Sequence, residues 1–176
     1  VTLAAGSASA RGHAKADDDP ERPEIAPDHP ATLAVGMARS GTTWRIGIRA
    51  TRTTSDLAVR GTETAVVTRG TLRAWGVGVE VGRRVAGSAG APELRVLAGG
   101  QLERWTFPGT VSEARIIPAA VGAVEGQVPL RPRWHALMRG EVGIGGSLFR
   151  EGELPLGYVT RAGQRAGIQV GIGWSP

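Results

Sequence analysis

The stretch from Gly167 to Pro176 constrains the fold of this chain more than any other. It reads Gly-Ile-Gln-Val-Gly-Ile-Gly-Trp-Ser-Pro. Successive side chains of an extended strand alternate between its two faces. Ile168, Val170, Ile172 and Trp174 therefore share one face, and Gly167, Gln169, Gly171 and Gly173 share the other. A half-buried strand of a soluble sheet carries charged or bulky polar groups on its second face. Here that face offers glycine and glutamine, and the large apolar face ends in tryptophan. Such a strand suits a wall between an apolar medium and a crowded polar interior.

The same alternation recurs upstream. Leu33, Val35 and Met37 oppose Thr32, Ala34, Gly36 and Ala38; Trp44, Ile46, Ile48 and Ala50 oppose Arg45, Gly47, Arg49 and Thr51. Within the long run 64–85, Trp75, Val77, Val79 and Val81 oppose Ala74, Gly76, Gly78 and Glu80. Leu94, Val96, Ala98 and Leu102 oppose Glu93, Arg95, Gln101 and Glu103, and a weaker strand follows over 114–130. Pro118 lies in that strand and lacks a ladder donor, which predicts a bulge or an unpaired stretch there. From Trp134, the residues Ala136, Met138, Val142, Ile144 and Leu148 oppose His135, Arg139, Glu141, Gly143 and Gly145. No segment sustains a 3.6-residue apolar period, so helices are not expected. Residues 31–176 thus supply seven clear strands. Residues 1–10 read either as a first strand or as the remnant of a signal peptide ending in small residues.

Connection lengths alternate as well. Turns near 40–43, 87–92 and 130–133 are short, whereas connections near 11–29, 55–63, 106–113 and 149–163 are longer and more polar; 11–29 includes the acidic run Asp17-Asp18-Asp19. Barrels of the bacterial outer membrane combine short periplasmic turns with longer outer loops. A parity argument supports an eighth strand in residues 1–10. If the short turns and the C-terminus are periplasmic, the strand at 31–39 runs inward and needs an outward strand before it.

Composition permits this. The chain of 176 residues suits a single domain, 1–176. It has no cysteine, which removes disulfides and thiolate metal sites from consideration. No apolar run approaches the ~18 residues of a membrane helix, so a membrane crossing must be made by strands. Mean hydropathy is −0.09, as expected where only alternate residues face lipid. The net charge of +5 comes almost wholly from arginine, scattered singly rather than gathered among aromatics, which argues against nucleic acid as a partner.

Five tryptophans complete the pattern. Trp44, Trp134 and Trp174 lie beside short turns or the C-terminus, and Trp75 and Trp105 lie toward the long connections. Read as outward residues, they form two interfacial belts, where a ring has one end apolar and the other wet. The chain resembles the small bacterial outer-membrane β-barrel superfamily, of the OmpA-like transmembrane barrel type, over residues 31–176 at least. The resemblance implies an all-β fold: a closed up-and-down antiparallel transmembrane barrel of about eight strands. It implies location in the bacterial outer membrane, outer-membrane lipid as partner, a monomeric state, and any extracellular ligand met at the long loops. Two departures stand out: Tyr158 is the only tyrosine, and the chain ends Trp174-Ser175-Pro176 rather than on an aromatic.

The inward faces carry Arg45, Arg49, Arg95 and Arg139 with Glu80, Glu93, Glu125 and Glu141. An eight-stranded barrel is just wide enough for side chains to fill it. Unpaired buried charges are costly, so these groups are expected to pair in a plugged, salt-bridged lumen. The corresponding role is structural or adhesive, through the long loops. No catalytic or metal site and no cofactor is expected. His13, His29 and His135 are isolated, and Asp17-Asp18-Asp19 lacks the spacing of a calcium loop. Two alternatives remain open. One is a soluble calycin-like barrel with the Ile/Val/Trp faces turned inward around a small apolar ligand. The other is an envelope-lipid-modifying barrel enzyme using Ser147 with His135 and Glu141, although Ser147 and His135 lie far apart along one strand.

Overall fold

The computed structural model describes residues 1–16, 24–60, 65–88, 90–107, 114–154 and 157–176. Eight long strands form one closed antiparallel sheet: β1 (Thr2–Arg11), β3 (Glu24–Ser40), β4 (Trp44–Arg60), β5 (Ala65–Ala86), β6 (Glu93–Thr106), β7 (Arg115–Arg131), β8 (Trp134–Gly145) and β10 (Gly163–Trp174). Neighbours in sequence are neighbours in the sheet, and β1 closes the barrel by pairing with both β10 and β3. Leu3 lies opposite Ile172 on one side and Val35 on the other. Two short strands, β2 (Ala14–Ala16) and β9 (Tyr158–Thr160), pair with each other across the long connections, and a 3-10 turn covers Glu151–Glu153.

The strand at Thr2–Arg11 is continuous and fully registered against β10. Its faces explain why. Ala4, Gly6, Ala8 and Ala10 turn inward and Leu3, Ala5, Ser7 and Ser9 outward, small residues that let the seam close tightly. At Gly173 a side chain is excluded by a neighbour, since a Cβ there would run into the ring of His135. At Gly163 it would run into the ring of His13. Two of the lumenal glycines thus make room for the two imidazoles that occupy opposite ends of the barrel.

Several sequence-based boundaries move. The stretch 55–63, expected as loop, is strand as far as Arg60, after a bulge between Ser55 and Leu57. The stretch 11–29 contains β2 and the first six residues of β3, so its loop is shorter than expected. Its run Asp17-Asp18-Asp19 lies outside the described residues. Polar composition hid these extensions because cross-strand pairing, not apolar alternation, sustains them. Pro118 causes no bulge: it sits opposite Leu102 in an unbroken β6–β7 register. On its other side pairing with β8 begins only at Ala119, so the missing donor falls beyond that ladder.

Candidate functional site

The period-two pattern divides this barrel into an outer face and a lumen. On the outer face Trp44, Ile46, Ile48, Val77, Val79, Val142, Ile144, Ile168, Val170, Ile172 and Trp174 are all exposed, together with Leu33, Val35, Met37, Val81, Val96 and Met138. These residues form one apolar surface over all the strand pairs, far beyond the few hundred Å² that a soluble monomer exposes. The calycin-like alternative required the same series to point inward, and the structure turns them outward. Trp75 and Trp134 are exposed on this face too.

Trp105 is not. It was expected in the outer belt, but it is 6% exposed and lies inside. The reason is parity. β6 has no bulge between Glu93 and Trp105 in its β7 register, so Trp105 must share the face of Arg95 and Glu103. Its ring packs with Leu72, Ala74, Ile117 and Leu148, against which Leu57, Phe107 and Phe149 also pack. This cluster fills the mouth of the lumen at the end bearing the long connections. Trp105 Nε1 donates to Glu103 Oε2 at 2.8 Å, which joins the apolar cap to the polar layer below.

That layer centres on Arg139, 1% exposed. Its Nη1 and Nη2 donate to the two oxygens of Glu80, each at 2.9 Å, and its Nε donates to Glu141 at 3.0 Å. Glu125 approaches Arg139 at 3.7 Å and binds Arg45 at 2.5 Å. Arg49 lies 3.9 Å from Glu80 and donates to Gln169. Arg165 donates to Glu103 and lies 3.9 Å from Glu141. Four arginines (45, 49, 139, 165) and four glutamates (80, 103, 125, 141) therefore balance. Glutamines complete the shell: Gln127 donates to Glu125 at 2.7 Å, and Gln101 donates to Glu103. A second group sits at the short-turn end, where Arg95 and Arg84 bind Glu93 at 2.7 and 3.3 Å.

Sequence reasoning named eight of these charges, read Glu103 onto the inward face without placing it in the network, and missed Arg165 and Arg84. Arg165 was missed because β10 was started at Gly167. Carrying its odd-numbered inward face four residues upstream, to Gly163, would have found it.

Above the ion pairs lies a cavity of about 60 Å³, bordered by Thr51, Thr53, Trp105, Gly145, Arg165 and Gln169. That is room for a few waters. His13 roofs it. The imidazole Nδ1 accepts from the Leu148 amide at 3.2 Å, and the His13 carbonyl accepts from Ser147 Oγ at 2.6 Å and from the Arg161 amide at 3.0 Å. Burial holds the His13 pKa down at about 4, so the ring is neutral at pH 7. Ser147 is committed to this latch, for its Oγ also accepts from the Phe149 amide at 3.0 Å. His135 lies at the opposite end of β8, so Ser147, His135 and Glu141 assemble no nucleophilic set. His29 stands against Asp28 on β3. Among the described residues no cluster of His, Asp and Glu is arranged to hold a metal.

A closed barrel of eight antiparallel strands is the architecture of the small outer-membrane β-barrels. The solved structure of Neisserial surface protein A shares it: the TM-score is 0.62 over 98% of this chain and 95% of that one, with 10% sequence identity. Two further barrels align with lower scores. Ail, the attachment invasion locus protein of Yersinia pestis, gives a TM-score of 0.35 at 15% identity, over 98% of this chain and 95% of that one. The translocator domain of the autotransporter NalP from Neisseria meningitidis gives 0.38 at 11% identity, over 98% and 87%. At these identities the likeness is one of fold. No family model matches the chain, and no curated protein matches it by sequence.

Proposed function

We propose that the chain is a bacterial outer-membrane protein whose lumen is plugged by its own ion pairs, and that it acts as a scaffold and recognition element rather than as a pore or an enzyme. One observation carries this: a barrel with an apolar band around its outside encloses four arginines and four glutamates in mutual contact. A medium without water outside and a filled interior leave the connections as the surface available to partners. The short turns then face the periplasm and the long connections the exterior. Strands β4 and β5 favour an adhesive role on that side. β5 continues ten residues beyond Trp75, to Ala65, and carries exposed Val66 and Val67. The barrel works as a monomer in this scheme, with lipid as its surrounding partner.

Three measurements test the proposal. Purified protein refolded in detergent should shift its gel mobility on heating, and it should insert into liposomes. In planar bilayers it should show no steady conductance. A stable open channel would exclude the plugged lumen, and a chain soluble without detergent would exclude the membrane location.

A further inference from the structure

The outer face changes character along one line. On β4 the exterior series runs Trp44, Ile46, Ile48, Ala50 and then Arg52; on β5 it runs Val81, Val79, Val77, Trp75 and then Arg73; on β6 it runs Val96, Ala98, Gly100, Leu102 and then Arg104. The register places these ends side by side, with Trp75 opposite Arg52 on one strand and Arg104 on the other. Arg73 lies one step farther out, between Thr54 and Thr106. Three exposed arginines therefore surround one exposed tryptophan where the apolar surface stops. Strand spacing makes Arg52 and Arg104 roughly 10 Å apart at the backbone. The line lies eight residue steps from Trp44, about 27 Å along the strand. At a tilt of 35–45° that is roughly 20 Å of height, the far edge of an apolar band.

Among the described residues, nothing neutralises this patch. The direct neighbours on the same face, Leu33, Thr54, Thr106 and Ile116, carry no charge. None of the ion pairs among the described residues involves Arg52, Arg73 or Arg104. Arg52 lies over the Trp75 ring with its guanidinium carbon 5.3 Å from the centroid. A guanidinium held over an indole can still direct N–H groups at a phosphate, the bidentate contact arginine favours. We propose that Arg52, Arg73 and Arg104 around Trp75 form a binding site for the phosphomonoester of a lipid headgroup in the outer leaflet. A phosphomonoester carries a charge of about −1.5 to −2, which three guanidiniums without a carboxylate partner among the described residues match better than the single charge of a diester. The acyl chains of such a lipid would lie against Val77, Val79 and Leu102 below. This site rests on the membrane location proposed above.

The test uses the full chain in phosphatidylcholine nanodiscs doped with phosphatidic acid, a monoester, or with phosphatidylglycerol, a diester. Lipids retained on the barrel are counted by native mass spectrometry. Phosphatidic acid should be retained most tightly, phosphatidylglycerol less, and phosphatidylcholine least. An arginine near a membrane surface is worth about a fivefold change in anionic lipid binding, so Arg52→Gln with Arg104→Gln should weaken phosphatidic acid retention about 30-fold. Arg73→Gln alone should weaken it about fivefold. Arg83→Gln, at the short-turn end beside Trp44, should leave it unchanged within about twofold.

Equal retention of the three lipids by the wild-type chain would overturn the site, whatever the variants do. So would an equal loss in Arg83→Gln, or inorganic phosphate binding as tightly as phosphatidic acid. Failure of the wild-type chain to enter nanodiscs would instead overturn the membrane location, and the site with it.

Discussion

Glu80→Gln is the most direct probe of the lumen. Glu80 accepts both terminal nitrogens of Arg139 and lies 3.9 Å from Arg49. The substitution keeps the shape of the side chain and one acceptor oxygen, and it removes a unit of negative charge. One of two charge-assisted bonds at 2.9 Å is lost, and the other runs from the guanidinium to a neutral amide oxygen. Such bonds contribute about 1.5–3 kcal/mol each. Arg139 retains Glu141 at 3.0 Å and Glu125 at 3.7 Å, so the loss stays below the roughly 3–5 kcal/mol of a fully broken buried pair. The expected cost is about 2–3 kcal/mol. The assay is equilibrium urea unfolding from phospholipid vesicles, followed by tryptophan fluorescence, with the midpoint falling and the slope unchanged. Glu153→Gln is the control, because Glu153 pairs with Arg115 in the solvent-facing 3-10 turn. It should cost under about 1 kcal/mol. Adding Arg49→Gln to Glu80→Gln restores the charge balance, so the double variant should lose about 1 kcal/mol less than the sum of the singles. A cost for Glu80→Gln below about 0.5 kcal/mol, or equal to that of the control, would refute a packed and ion-paired lumen.

Three further outcomes are expected. The pKa of His13 falls from 6.5 to about 4 on folding, so the folded state favours the neutral ring. Its contribution is present in full above pH 6.5, declines as pH falls from 6.5 towards 4, and is lost below about 4; the span corresponds to roughly 3 kcal/mol. The protection of the Leu148 amide against hydrogen exchange, relative to an unfolded peptide at the same pH, should fall as pH drops through that window, and His13→Gln should remove the pH dependence. Val79→Arg, midway between Trp75 and Arg83 on the exterior, should destabilise the bilayer-inserted barrel by about 2–4 kcal/mol by urea titration, and no loss in vesicles would count against lipid on that face. Gly173→Ala should lower refolding yield by driving a methyl into the His135 ring, and His135→Ala in the same chain should restore most of it; failure of that rescue would show that the glycine serves another purpose.

The barrel was legible because one physical rule writes itself along the whole chain. A wall with lipid on one side and side chains on the other forces a period of two. Ile168, Val170 and Ile172 against Gly167, Gln169 and Gly171 state that rule in six residues. Strand β1 was harder, since Ala4, Ala8 and Ala10 face in while Ala5, Ser7 and Ser9 face out, and small residues carry little contrast. The extensions of β3 and β4 beyond the apolar band were not legible, because the outward face there is no longer apolar and the pattern that marks a strand disappears.

The lumen was legible in kind but not in partnership. Alternation tells which charges point inward; it does not tell which of them meet across the barrel, since Arg139 and Glu80 are 59 residues apart and come together only when the sheet closes. Trp105 shows the limit from the other side. Its residue type argued for the interface, and its parity argued for the lumen. Parity prevailed because a strand without a bulge cannot turn one side chain out of phase, whereas a tryptophan is stable in either place once its indole N–H has an acceptor. Glu103 supplies that acceptor. Where residue type and strand register disagree in a barrel wall, register is the stronger constraint, because changing it would expose every other charge on the strand to lipid.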